Sequence, residues 1–97
     1  MNPRIKAIVK KIKDETLRRK VSDLIEDPSI EIDGETYRGL KFEDSPASIH
    51  RHHNYPGGLL EHVISTARIA LALCDSVEKV YHGKVNRDLV ISGVLLH

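Results

Sequence analysis

Apolar residues recur at helical spacing from the start of the chain, at Ile5, Ile8, Val9 and Ile12. Asn2-Pro3 just ahead of them supplies an N-cap and a proline at the first helical position. Asp14 opens a second helical run with Leu17, Val21, Leu24 and Ile25 on its apolar face. Glu26-Asp27-Pro28 closes it, because the residue before a proline is pushed out of helical geometry. Lys10, Lys11, Lys13, Arg18, Arg19 and Lys20 occupy the other faces, interleaved with Asp14, Glu15, Asp23 and Glu26. This mixture predicts a solvated amphipathic helical hairpin rather than a basic patch.

Residues 29 to 45 change character. Ile30 and Ile32 alternate with polar neighbours, Asp33-Gly34 is a turn signal, and Tyr37 precedes Gly39. A short β-hairpin near 29–38 and an irregular loop both fit, the hairpin slightly better. Phe42, the chain's one phenylalanine, is expected to pin this segment to the helical body.

From Pro56 the helical period returns. Leu59, Leu60, Val63, Ile64, Ala67, Ala70, Leu71, Cys74 and Val77 share one arc, and Glu61, Ser65, Arg68, Asp75 and Lys79 lie opposite. The pattern predicts a helix to about Val80, about 36 Å long, with Gly83 as its left-handed stop. Asn86 is placed to cap a last helix over 87–97. Leu89, Val90, Ile91, Val94, Leu95 and Leu96 cover nearly all of that helix's circumference. A helix apolar all round is expected to be buried. The chain offers few helices to surround it and stops on its most hydrophobic run. A truncated sequence, with a natural domain that continues, is the expectation.

Composition narrows the classes. Ninety-seven residues amount to one small domain at most, with 40% apolar and 30% charged residues and a formal net charge of +1. No DNA-binding footprint or membrane steering follows from such a balance. A single cysteine excludes an internal disulfide framework and fits a reducing, cytoplasmic location. No signal-peptide pattern or run long enough for a membrane span is present.

Histidine is abundant, with six in the chain, and His50, His52, His53 and His62 cluster. His62 sits at the edge of the long helix's apolar arc, beside Leu73 and Val80, where a histidine can simply snorkel to water. His97 shares a face with Val90, Gly93 and Val94 on the helix expected to be buried. Both its ring nitrogens would need partners there, and a metal plus a hydrogen bond would supply them, as would hydrogen bonds alone. Pro56-Gly57-Gly58 makes a tight bend into the long helix. The N–H groups at that helix start, with Arg51 nearby, suit an anion such as phosphate.

The segments HHNYPGGLLEHV (52–63) and NRDLVISGVLLH (86–97) together resemble the HD superfamily of metal-dependent phosphohydrolases. Within it they are most similar to the branch with HD-type 3′–5′ exoribonucleases and archaeal cyclic-phosphate phosphodiesterases. The resemblance covers roughly residues 46 to 97. It implies an all-α, HD-domain-like helical bundle, of which 46–97 is the N-terminal part and 1–45 a helical hairpin and connecting segment. It also implies His62 and His97 as metal ligands, with the aspartate ligands beyond the last residue. His52 and His53 are implied as catalytic, and Arg51 and His53 as phosphate-binding. His50, His82 and Glu61 are left as surface residues.

Two imidazoles with two carboxylates suit a divalent Fe, Mn, Co, Ni or Zn ion, or Mg where oxygen ligands dominate. The reaction implied is phosphodiester hydrolysis of a nucleotide, a cyclic phosphate or an RNA end, with the metal polarising a phosphoryl oxygen and activating water. The chain alone is expected to turn over little. The alternatives are a non-catalytic HD-type nucleotide-binding or regulatory domain, and an RNA-binding helical module resting on the basic residues of the first two helices.

Overall fold

The computed structural model describes residues 1–42, 44–46 and 55–97. Helix α1 spans Pro3–Val9, and the Asn2 side chain accepts the Arg4 N–H at its start. A tight turn follows, in which Lys11 N–H and Ile12 N–H donate to Ile8 O and Val9 O. Helix α1 thus ends a residue triplet earlier than the apolar period, and the turn itself buries Ile12 completely. Helix α2 spans Glu15–Glu26, with the Asp14 side chain capping Leu17 N–H and Asp27 ending it before Pro28.

The hairpin is present. Strand β1 (Ser29–Ile32) pairs antiparallel with β2 (Glu35–Arg38), and Ile30 faces Tyr37 across the ladder. Asp33 and Gly34 both have positive φ, 50° and 79°, as a two-residue hairpin turn that follows the strand twist requires. The Gly39 N–H donates to Pro28 O, and Arg38 pairs with Asp27 at 2.7 Å, closing the base of the hairpin.

Helix α3 runs Gly58–Lys79 and helix α4 runs Arg87–Leu96, capped by the Asn86 side chain. The short connection between them makes α3 and α4 antiparallel neighbours. One core joins all four helices: Ile5, Ile12, Val21, Val63 and Leu95 are the most deeply buried large side chains. Phe42 packs against this cluster, as its sequence position implies.

Two expectations are corrected. The left-handed residue after α3 is His82, with φ 58°, not Gly83. Histidine tolerates that region better than most residues, and glycine is needed next for room. A Cβ at Gly83 would lie 2.7 Å from Val77 Cγ1. Helix α4, in turn, is not enclosed. It buries Ile91, Ser92 and Leu95 against the other helices, while Leu89 and Leu96 are 67% and 47% exposed. Its neighbours in this chain all pack on one side, so an apolar circumference is covered on that side alone.

Two polar contacts without any local sequence signal fix the start of α4. The Asp88 carboxylate accepts the backbone N–H groups of Lys13 and Asp14, each at 2.8 Å, and these two bonds hold its carboxyl below the usual range. Arg87 reaches Asp75 at 2.6 Å and Glu78 on α3. Asp75, expected on the solvent face of α3, is therefore a partner of α4, and Arg87 lowers its pKa through that hydrogen bond.

Candidate metal centre

The long helix begins abruptly. Gly57 takes a left-handed φ of 85°, the Gly58 N–H donates to Tyr55 O, and the Leu59 N–H donates to Ser45 O. A residue with a side chain would be strained at Gly57. The bend sets the first turn of α3 and therefore the position of His62 in its second.

His62 is half-buried and His97 exposed. The burial expected at His97 is absent, for the same one-sided packing that bares Leu96. What singles the residue out is its partner. Antiparallel packing lays the last turn of α4 beside the second turn of α3, and His97 Nε2 lies 3.2 Å from His62 Nε2. The ring centroids are 5.3 Å apart and the planes tilted by 49°.

Hydrogen bonding settles the His97 tautomer. Its Nδ1 is 2.7 Å from Val94 O. A carbonyl only accepts, so Nδ1 carries the proton and, in the neutral ring, Nε2 presents a lone pair toward His62. A backbone carbonyl behind the distal nitrogen is the usual support of a metal-binding imidazole. Two nitrogens each about 2.0–2.1 Å from one ion lie about 2.8–3.4 Å apart at octahedral to tetrahedral angles. The observed separation falls in that interval, so the pair fits a shared divalent ion. It also fits a single N–H···N bond from His62 to His97.

Among the described residues, no group of three or more His, Cys, Asp or Glu side chains comes together. His50, Arg51, His52 and His53 lie outside the described residues. His82 is exposed beyond the C-terminal end of α3, far along the helix from His62. Glu61 is exposed, as expected, but is not idle. The Tyr55 hydroxyl donates to its carboxylate, and this bond raises the Tyr55 pKa, helped by partial desolvation and the nearby negative charge. A tyrosine just ahead of a helical turn and a glutamate within it is a signal the sequence carries weakly.

A 610 Å³ groove opens between the hairpin and the helical body, with His97 among its lining residues. Its other walls come from α2, the hairpin, Phe42, Leu59 and the end of α4. No described helix is long and apolar enough to cross a membrane.

No protein-family model matches the chain, and no solved structure matches it. Curated relatives do. The dihydroneopterin 2′,3′-cyclic phosphate phosphodiesterase of Methanocaldococcus jannaschii is 46% identical over 94 residues, 97% of this chain and 38% of that enzyme. The 3′-5′ exoribonuclease YhaM of Listeria welshimeri is 43% identical over 56 residues, 58% of this chain and 16% of that protein. The YhaM of Bacillus pumilus is 36% identical over 59 residues, 61% of this chain and 17% of that protein. The chain thus spans well under half the length of the relatives it matches. Homology to both sets of HD-domain proteins, carried on a mostly helical fold with the expected order of motifs, shows that the chain belongs to the HD superfamily.

Proposed function

We propose that this chain carries His62 and His97 as two ligands of a divalent metal in an HD-type phosphodiesterase, and that the substrate is a small cyclic phosphate ester. The observation carrying this reading is the Nε2–Nε2 separation of 3.2 Å, with His97 already held through Nδ1. Similarity along nearly the whole chain to a cyclic-phosphate phosphodiesterase supports the substrate class. The exoribonuclease matches support an RNA end as the second reading, over a shorter stretch.

A divalent ion bound there supplies Lewis acidity toward a phosphoryl oxygen and lowers the pKa of water. The chain's own residues do the positioning. Val94 O fixes the His97 ring through its Nδ1–H. Antiparallel packing of α3 on α4 holds His62 opposite it, and Gly57 lets α3 start abruptly, four residues after the segment 50–53 in the sequence. Within that segment, Arg51 and His53 are proposed to contact the phosphate and to neutralise charge on its non-bridging oxygens. His52 and His53 are proposed to move protons to or from the reacting oxygens. Residues 1–45 are proposed as the helical hairpin and connecting segment, and 46–97 as the part that bears the metal ligands.

Two imidazoles alone hold a metal weakly, so the chain is expected to show little turnover by itself. The test is hydrolysis of 2′,3′-cyclic phosphates by the protein in its longest natural form, with Mn²⁺ or Fe²⁺ added and then chelated. Activity that survives both chelation and His97→Ala would refute the reading.

A further inference from the structure

We infer that the groove between the hairpin and the end of α4 seats the planar heterocyclic base of a cyclic phosphate ester whose phosphate lies at the His62–His97 pair. The inference rests on the phosphodiesterase reading of that pair and adds where the rest of the substrate goes. His97 belongs to both features: its Nε2 faces His62, and its side of α4 lines the groove. An ester held by its phosphate at this imidazole meets the groove next.

The groove's chemistry suits a ring. Ile30 and Tyr37 are direct cross-strand partners, 59% and 52% exposed, and both line it. Leu40 and Leu96 line it as well, 65% and 47% exposed, with Phe42 packed on the core beneath. Such a set is apolar and partly aromatic, with Arg38 the one arginine or lysine among the described residues that line it. Single exposed apolar residues are ordinary, but a contiguous set facing one cavity marks a binding surface. A volume of 610 Å³ lies within the range of about 300–1,000 Å³ typical of small-molecule sites. Bases stack well on aromatic side chains, and Tyr37 is the exposed aromatic residue in this set. The match to the archaeal phosphodiesterase spans 94 of the 97 residues and so takes in the whole hairpin. The hairpin then forms the outer wall of the base site.

Calorimetric titration of the full 97-residue chain at saturating Zn²⁺ tests this. One probe is guanosine 2′,3′-cyclic phosphate; the other is the 2′,3′-cyclic phosphate of methyl riboside, which lacks the base. The guanosine ester is expected to bind about tenfold or more tightly than the base-free ester. Tyr37→Ala and Ile30→Ser, both exposed positions that leave the helical core intact, are expected to remove most of that advantage without changing the base-free affinity. Equal affinities for the two esters, or an advantage that survives both variants, would overturn the base site while leaving the phosphate reading standing. Loss of the phosphate reading looks different: neither ester binds, or His97→Ala leaves both affinities unchanged, and the base site then falls with it. Concentration-dependent dimerisation that protects Tyr37 and Leu96 would show a second copy in the groove and would also overturn the inference.

Discussion

His62 and His97 are separated by 35 residues in sequence, and their Nε2 atoms lie 3.2 Å apart. The contact follows from two elements set independently. Gly57 and the bend before α3 position His62, and Asn86, Arg87 and Asp88 position the start of α4, ten residues before His97.

Replacing either histidine with alanine is expected to weaken Zn²⁺ binding by at least tenfold, because each leaves a single imidazole. The double variant is expected to lose little more than either single one, since the two act as a unit. Thermal stability should hardly change at His97, which is exposed, as surface substitutions usually stay within about 0.5 kcal/mol. Calorimetry and thermal melts of the three variants check both statements.

Asp88 joins α4 to the turn between α1 and α2 through two backbone N–H groups. Asp88→Ala is expected to lower the melting temperature by several degrees at neutral pH. The sign of the pH dependence follows from the cause of the shift. Hydrogen bonds to the charged form depress the native pKa, so the unfolded chain binds the proton more readily. The stabilisation is complete above the ordinary aspartate value of about 3.9 and fades as pH falls through the lower native value. Melting curves of the wild type and Asp88→Ala should therefore differ by a constant amount from pH 6 to about 8 and converge toward acid.

Adjacent leucines on α4 should behave oppositely. Leu95 is 1% exposed, and Leu95→Ala is expected to cost about 2–5 kcal/mol. Leu96 is 47% exposed, and Leu96→Ala should cost less than about 1 kcal/mol. Urea denaturation of the two variants measures the contrast. Similar losses at both would mean that α4 is enclosed after all.

The glycines give a further pair of opposite signs. A Cβ at Gly93 meets nothing within 4 Å, so Gly93→Ala is expected to stabilise α4 by about 0.5–1 kcal/mol through helix propensity. At Gly83 the new carbon would lie 2.7 Å from Val77 Cγ1. Gly83→Ala should destabilise by about 1–3 kcal/mol, and Val77→Ala in the same molecule should recover part of the loss.

The elements were legible in the sequence because each has a local cause. Asn2, Asp14 and Asn86 cap the helices they precede, Pro28 follows the end of α2, and Asp33-Gly34 makes the hairpin turn. The pairing of His62 with His97 was legible through resemblance, since helical period alone puts His62 at an edge and does not say what it meets. Burial at His97 was not legible, because an apolar circumference states what a helix can bury, whereas its neighbours decide what it does bury. Contacts between distant residues were invisible for a similar reason. Asp88 reaches residues 74 and 75 positions away, and Arg87 ties the Asp75 carboxylate on α3 to the start of α4. Nothing in the local spacing marks either one.

The central claim is that His62 and His97 bind one metal ion through their Nε2 atoms. Long-range ¹H–¹⁵N imidazole spectra recorded through a Zn²⁺ titration address it directly. The Nε2 signals of both residues are expected to shift together and saturate together, while His97 Nδ1 keeps its proton. Zn²⁺ binding that moves other histidines and leaves either of these two Nε2 signals in place would contradict it.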